Sequence, residues 1–338
     1  MRQTKALGAL AITLLLVGTA CSDNSSTGGG GGGGDQDLSG KVVVSGSSTV
    51  LPISSLLAEE FSAENPDVQI SVTGPGTSDG FVTFCKGKTD INDASRPIED
   101  EEIEACESGG VNYTELEIAY DGITVMTNPA NDAVDCLNTA DLYALIGPES
   151  QGFADWSDAN ELGQEVGGRA VPYPDVPLDI VGPGEESGTY GAFIDLALKG
   201  FAEERGAPDD QTRPDYTSSA NDNVIIQGIE GSDTSLGWVG FAYAEGNAGD
   251  VKILGVDGGD GCITPDRETI ADHSYPLSRS LYIYVNADKA ESNDALREFV
   301  DFYLTDEGIV DGVQTAGYVD LPSDVIEQTR ADWEEAGF

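Results

Sequence analysis

The sequence holds one histidine, His273, and only 16 lysines and arginines against 61 aspartates and glutamates. Its formal charge over 338 residues is −45. A surface of one sign repels phosphate backbones and anionic lipid heads, which argues against nucleic acid as a partner. No CxxC pair occurs, and a lone histidine cannot complete a zinc set, so no metal is expected. Gly87-Lys88-Thr89 is the one GK[ST] triplet, but Val82 stands where a P-loop needs its first glycine, and no loop completes a dinucleotide fingerprint. "GEESG" around Ser187 departs from the G-x-S-x-G nucleophile elbow. His273, in "ADHSYPL", reads as a structural or surface residue. No catalytic residue and no cofactor are therefore expected, and a hydrolase or phosphatase is the reading set aside. No repeat of solenoid period is present.

What remains is globular. Apolar residues make up 39% and charged residues 23%. The length allows one large domain or two of about 150 residues. The acid excess suits a salty medium, where screening falls to about 3 Å at 1 M salt. A halophilic source is expected.

Residues 1–21 read as a targeting segment. Arg2 and Lys5 precede the apolar run "ALGALAITLLLVG", which is too short for an ordinary membrane span. "GTAC" places Cys21 at the cleavage point of a bacterial lipoprotein. The usual lipobox has Leu three residues before that cysteine, where this chain has Gly18. Residues 22–40 read as a Gly/Ser-rich linker without packing capacity. Cys85, Cys106, Cys136 and Cys262 remain. An exported chain favours two disulfides, and four cysteines allow three pairings. Proximity favours Cys85–Cys106, leaving Cys136–Cys262.

Strand and helix patterns alternate. "KVVVSG" and "DVQISVTG" read as strands around the helical "LPISSLLAEEFSAENP", with Ile53, Leu56, Leu57 and Phe61 at helical spacing. "GFVTFCKG" reads as a short helix, and "YDGITVMTNP" and "SLYIYVNAD" as further strands. The alternation predicts an α/β architecture with largely parallel sheets.

Three strand-to-helix junctions combine Gly with Ser or Thr: "SGSSTV" (45–50), "GPGTSDG" (74–80) and "GPGEESGT" (182–189). Glycine lets backbone approach a ligand, and hydroxyls and first-turn amides donate to an anion. Ordinary N-capping is the plain alternative for any one of them. A fourth segment, "TDINDASRPI" (89–98), adds Arg96, whose fork can bind two oxygens of a tetrahedral anion. A surface salt bridge is its plain alternative.

"GSSTVLPI", "GTSDGFVTFCKGKTDINDASRPI", "GPGEESGTYGAF", "GWVGFAYAEGN", "YPLSRSLYIYVN" and "TAGYVDLP" follow one another. In this order they resemble the Pst-type phosphate-binding lipoproteins that feed an ABC importer, in the branch with "ASRPI". The resemblance runs from about residue 41 to the C-terminus. It implies a type II periplasmic-binding fold, with two α/β lobes joined by two crossing strands near 120–125 and 278–285. Lobe 1 would comprise 41–120 plus 286–338, and lobe 2 would comprise 121–285 with the hinge strands. Each disulfide would then lie within one lobe.

The implied ligand set is Thr49, the Val50 amide, Thr77, Ser78, Ser95, Arg96, Glu186, Ser187, Gly188 and Thr189. Other branches carry an Arg near Pro183, and Arg96 is its natural replacement here. They also carry an Asp at the position of Arg96 that accepts the ligand's proton. Here Glu185 or Glu186 would take that role, with Glu186 the better placed. Asp79 stands where the family usually has Gly, and it would cap the helix, accept from the ligand or repel it. The implied function is binding of inorganic phosphate outside the cytoplasmic membrane, at the periplasm or cell surface. The protein would be a monomer, anchored through Cys21 and delivering to permease subunits. Sulfate, molybdate or an organic phosphate is the alternative ligand. The Arg96→Ala variant is expected to weaken phosphate binding more than about tenfold, the scale of one charge-assisted hydrogen bond. Titration calorimetry checks this, and unchanged affinity would remove Arg96 from the pocket.

Overall fold

The computed structural model describes residues 38–185 and 187–338. The targeting segment, Cys21, most of the expected linker and Glu186 lie outside the described residues.

The first half of the chain builds β1 (Gly40–Gly46), α1 (Leu51–Glu64), β2 (Val68–Thr73), α2 (Thr77–Phe84), β3 (Ile91–Ala94), α3 (Asp100–Gly109) and the long β4 (Tyr113–Thr127). Then come β5 (Cys136–Asn138), α4 (Thr139–Ile146), α5 (Asn160–Val166) and β6 (Ile180–Gly182). A composite helix follows, with α6 (Gly188–Phe193), a π turn over Ile194–Leu198 and α7 (Lys199–Arg205). Next are β7 (Thr217–Ser218), α8 (Asp222–Glu230), β8 (Leu236–Gly240), α9 (Phe241–Gly246), β9 (Lys252–Ile253), β10 (Gly255–Asp257) and β11 (Cys262–Ile263). The chain closes with α10 (Arg267–Ala271), β12 (Ser278–Asn286), α11 (Ala287–Ala290), α12 (Asp294–Tyr303), α13 (Val313–Thr315) and α14 (Ser323–Glu335).

Local sequence accounts for much of this. In α1, Pro52 sits in the first turn, where its missing N–H is harmless. Ile53, Leu57 and Phe61 form the buried stripe, and Phe61 meets Phe299 edge-on at 5.5 Å. Leu56 stays at the margin of that stripe. Glu99 and Glu102 form a reciprocal capping box at the start of α3, and Gly110 ends it in the left-handed region.

The strands order as β2-β1-β3-β12-β4-β8-β6-β7, with β9 also on β4. Parallel pairs occupy the flanks, β1 with β2 and β3, and β6 with β7 and β8. The centre is antiparallel: β12 pairs with both β3 and β4, and β4 pairs with β8. The sheet is therefore mixed rather than largely parallel. A chain that crosses from one α/β lobe to the other on β4 must return on β12, so these two strands run in opposite directions. Within β4, residues 113–122 pair with β12 and residues 123–127 with β8. The result is a two-lobed α/β fold whose lobes share the crossing strands.

Cys85 is bonded to Cys106, and Cys136 to Cys262. The second bond joins the outer strands of the small sheet β11-β10-β5. Gly255 lies between them, and a Cβ there would stand 3.4 Å from that of Cys262. This bond closes a sequence separation of 126 residues. The Cys136→Ser/Cys262→Ser double variant is expected to lose about 2–4 kcal/mol of unfolding free energy. Chemical denaturation reads the loss, and an unchanged midpoint would show that the bond contributes nothing.

Candidate functional site

A cleft of about 890 Å³ opens where the β1, β2 and β3 ends meet the crossing strands. Its floor depends on close backbone contacts. Gly46 ends β1 with φ +152, and a Cβ there would lie 2.0 Å from the Asp93 carbonyl. Gly80, in α2, fits against Gly46 and Asn92; its Cβ would come within 2.1 Å of Asn92 Oδ1. These two glycines bring the first and second loops together.

Each loop is then held by its own hydroxyls. The Ser47 amide donates to the Asp93 carbonyl at 2.8 Å. Ser47 Oγ accepts from the amides of Thr49 at 3.1 Å and Val50 at 3.4 Å. The Thr49 carbonyl accepts from the Tyr318 hydroxyl at 2.6 Å, so the C-terminal segment braces this loop. In the second loop, Thr77 Oγ1 accepts from the Ser95 amide at 3.2 Å, with the Ser95 hydroxyl also at 3.2 Å.

Thr49, Thr77, Ser78, Ser95 and Arg96 all line this one cleft, together with Asp79. Val50 lies behind it, fully buried, with its amide on Ser47. Ser187, Gly188 and Thr189 stand on the flank. Gly188 packs on the first loop, where a Cβ would be 3.0 Å from the Ser48 carbonyl and from Thr49 Cα. Ser187 Oγ accepts from the Thr189 amide at 3.2 Å, as an N-cap does. Glu185 is exposed and lines a separate cavity of about 270 Å³ with Arg213 and Tyr216.

Arg96 is heavily engaged. Its terminal nitrogens each meet a Glu102 oxygen at 2.8 Å, and Nη2 also donates to Ser78 Oγ at 2.9 Å. Nη1 donates to the Pro97 carbonyl at 3.0 Å, and Nε lies 3.2 Å from Glu99. The Glu102 hydrogen bond raises its pKa above the usual guanidinium range. The fork read from "ASRPI" is thus closed onto α3 of its own neighbourhood.

The cleft also contains residues not expected in the ligand set: Asp195, Lys199, Ser278, Arg279, Ser280 and His273, the last expected to be structural or surface. Arg279 is the most informative. It pairs with Asp121 across the crossing strands and donates to Thr49 Oγ1 at 2.8 Å. A signal existed, because Arg279 is one of 16 basic residues and stands between two serines just ahead of an apolar strand run. His273 Nε2 lies 3.1 Å from Ser280 Oγ, and its ring meets Tyr120 edge-on at 5.4 Å.

Beneath the floor lies a buried polar layer. Asp93 is fully buried, and Ser54 Oγ donates to its Oδ1 at 3.0 Å. Burial pushes the Asp93 carboxyl up to about 7, partly opposed by the Ser54 hydrogen bond. The folded state therefore holds a proton that the unfolded chain releases near pH 3.8. Its contribution is complete below that value and is lost as pH rises through about 7. Asp93→Asn is expected to flatten the pH dependence of the melting temperature in this window. It should also raise the melting temperature above pH 7; a variant as pH-sensitive as wild type would contradict the assignment.

The profile of the PBP superfamily domain matches residues 31–307. Protein SphX of Synechocystis is 40% identical over 320 residues, 94% of this chain and 86% of its own. The phosphate-binding protein PstS of Staphylococcus saprophyticus is 34% identical over 291 residues, 86% of this chain and 83% of its own. A crystal structure of a possible phosphate binding protein from Planctomyces limnophilus superposes with a TM-score of 0.78 at 34% identity. That match covers 88% of this chain and 99% of the other.

Proposed function

The chain belongs to the PBP superfamily and to its Pst-type phosphate-binding proteins, and from that premise we propose that it captures inorganic phosphate between its lobes. It does so outside the cytoplasmic membrane and passes the ion to an ABC-type importer. One observation carries this reading: Thr49, Thr77, Ser78 and Ser95, from three separate loops, line a single cleft. Neutral hydroxyl and amide donors on rigid loops suit a small, strongly hydrated anion.

In this reading the ligand set is Thr49, the Val50 amide, Thr77, Ser78, Ser95, Arg96, Glu186, Ser187, Gly188 and Thr189. Closure brings the 187–189 loop onto the ion, and the Val50 amide turns from Ser47 to the ligand. Hydrogen phosphate retains a proton that sulfate has lost, so a carboxylate acceptor separates the two. Glu186 is that acceptor, with Asp79 on the cleft wall as the alternative. Lobe 1 takes 41–120 and 286–338, and lobe 2 takes 121–285. The hinge runs through the 120–125 and 278–285 segments, which are neighbours where 120–122 pair with 278–280. The protein works as a monomer held by lipid on Cys21, docks on permease subunits and catalyses no reaction. Turnover of a chromogenic phosphomonoester would overturn that last point.

Competition among phosphate, arsenate and sulfate tests the reading. Phosphate is expected to bind more tightly than sulfate, and equal affinities would favour the alternative of another oxyanion. The acid excess adds a kinetic expectation. Between 0.01 and 1 M salt the screening length falls from about 30 to about 3 Å. The phosphate association rate should therefore rise with salt in stopped flow, and a falling rate would reject a repulsive exterior.

A further inference from the structure

Two arginines line the cleft, and they differ in what their partners leave free. Arg96 faces two carboxylates, Glu99 and Glu102, at 3.2 and 2.8 Å. The bidentate Glu102 contact also occupies the face of the guanidinium that would bind two oxygens.

Arg279 is held more loosely. Nη2 donates to Thr49 Oγ1 at 2.8 Å. Nε reaches Asp121 only at 3.4 Å, and Nη1 reaches Asp195 at 3.3 Å. A guanidinium has five N–H groups. These three contacts leave one N–H on each terminal nitrogen without a partner among the described residues. A guanidinium whose two terminal nitrogens can both still donate is able to meet two oxygens of a tetrahedral anion. Asp121 is buried, and desolvation pushes its carboxyl up despite Arg279 beside it. Asp195 is half exposed, so water weakens its hold.

The Arg279–Thr49 contact has a second consequence. Thr49 Oγ1 accepts from Arg279, so its own O–H remains as a donor. Tyr318 fixes the Thr49 carbonyl, and the backbone of this loop is set from below. Arg279 thus orients one of the hydroxyls assigned to the ligand. Its side chain is 11% exposed, so a charge contact made there is little screened.

We propose that Arg279, on the returning crossing strand, is the principal cationic contact for phosphate, and that Arg96 shapes the wall without supplying the main charge. The proposal rests on phosphate binding in this cleft. It places the charge contact on the hinge itself, where the two crossing strands meet at Asp121 and Arg279.

Calorimetry with inorganic phosphate on the full chain tests it, using Arg279→Lys, Arg96→Ala and the double variant Asp121→Asn/Arg279→Gln. Lysine keeps a charge opposite Asp121 but lacks the fork, and the double variant removes both charges together. Circular dichroism melting establishes that each variant is folded. The Arg279→Lys variant is expected to weaken binding more than about tenfold, and more than Arg96→Ala. The double variant is expected to weaken it more than about a hundredfold. In wild-type protein, the Arg279 Nε–H signal should shift on saturation with phosphate, more than that of Arg96. Wild-type affinity in both folded Arg279 variants, or an unmoved Arg279 signal beside a shifted Arg96 signal, would overturn the inference alone. Failure of the wild-type chain to bind phosphate would overturn the proposed function and this inference together.

Discussion

The antiparallel pairing of β4 with β12 is what makes one protein of two sheet halves, and every feature of the cleft depends on it. Asp121 and Arg279 oppose each other in that pairing, at the point where β4 passes from β12 to β8. Both side chains are nearly covered, at 4% and 11% exposed. A buried ion pair adds little net stability, because desolvation offsets most of the attraction. Losing one partner alone leaves an uncompensated charge and costs about 3–5 kcal/mol. The pair therefore acts as a marker of register: a one-residue slip of either strand would turn a charge into the apolar layer.

The same constraint organises the loops. β3 lies beside the crossing strand β12 and β1 lies beside β3, so the loops that follow them open on one cleft. Gly46 and Gly80 permit that approach, since any side chain at either place would collide with backbone or with Asn92. Beneath them, Ser54, Asp93 and Tyr303 form a buried polar layer, with Ser54 Oγ 3.3 Å from the Tyr303 hydroxyl. Asn92 carries amide atoms with no partner among the described residues. A polar layer of this kind behind a loop is sensitive to protonation and resists repacking.

Charge is used in two ways. Most acids face water, where they repel one another and salt weakens the repulsion. Within the cleft the two arginines are matched individually: Arg96 with Glu102 and Glu99, Arg279 with Asp121 and Asp195. In so acidic a chain a free cation is rare, and how tightly each is matched decides what it can still bind.

What could be read along the chain was local. The Gly and hydroxyl loops at 45–50, 74–80 and 182–189, the Pro52 start of α1 and the alternation of strand and helix follow from spacing. Each obeys rules that reach only a few residues. The ordered motifs added the two-lobed fold and its family. The mixed sheet was missed because periodicity does not carry strand direction, and only the return of β12 beside β4 fixes it. The contrast between the two arginines was likewise invisible. Arg96 and Arg279 look equivalent in sequence, each one scarce cation among 61 acids. Tertiary structure closes the first onto Glu102 and leaves the second two donors without a partner among the described residues, because ion pairing depends on which carboxylates the fold brings within about 4 Å.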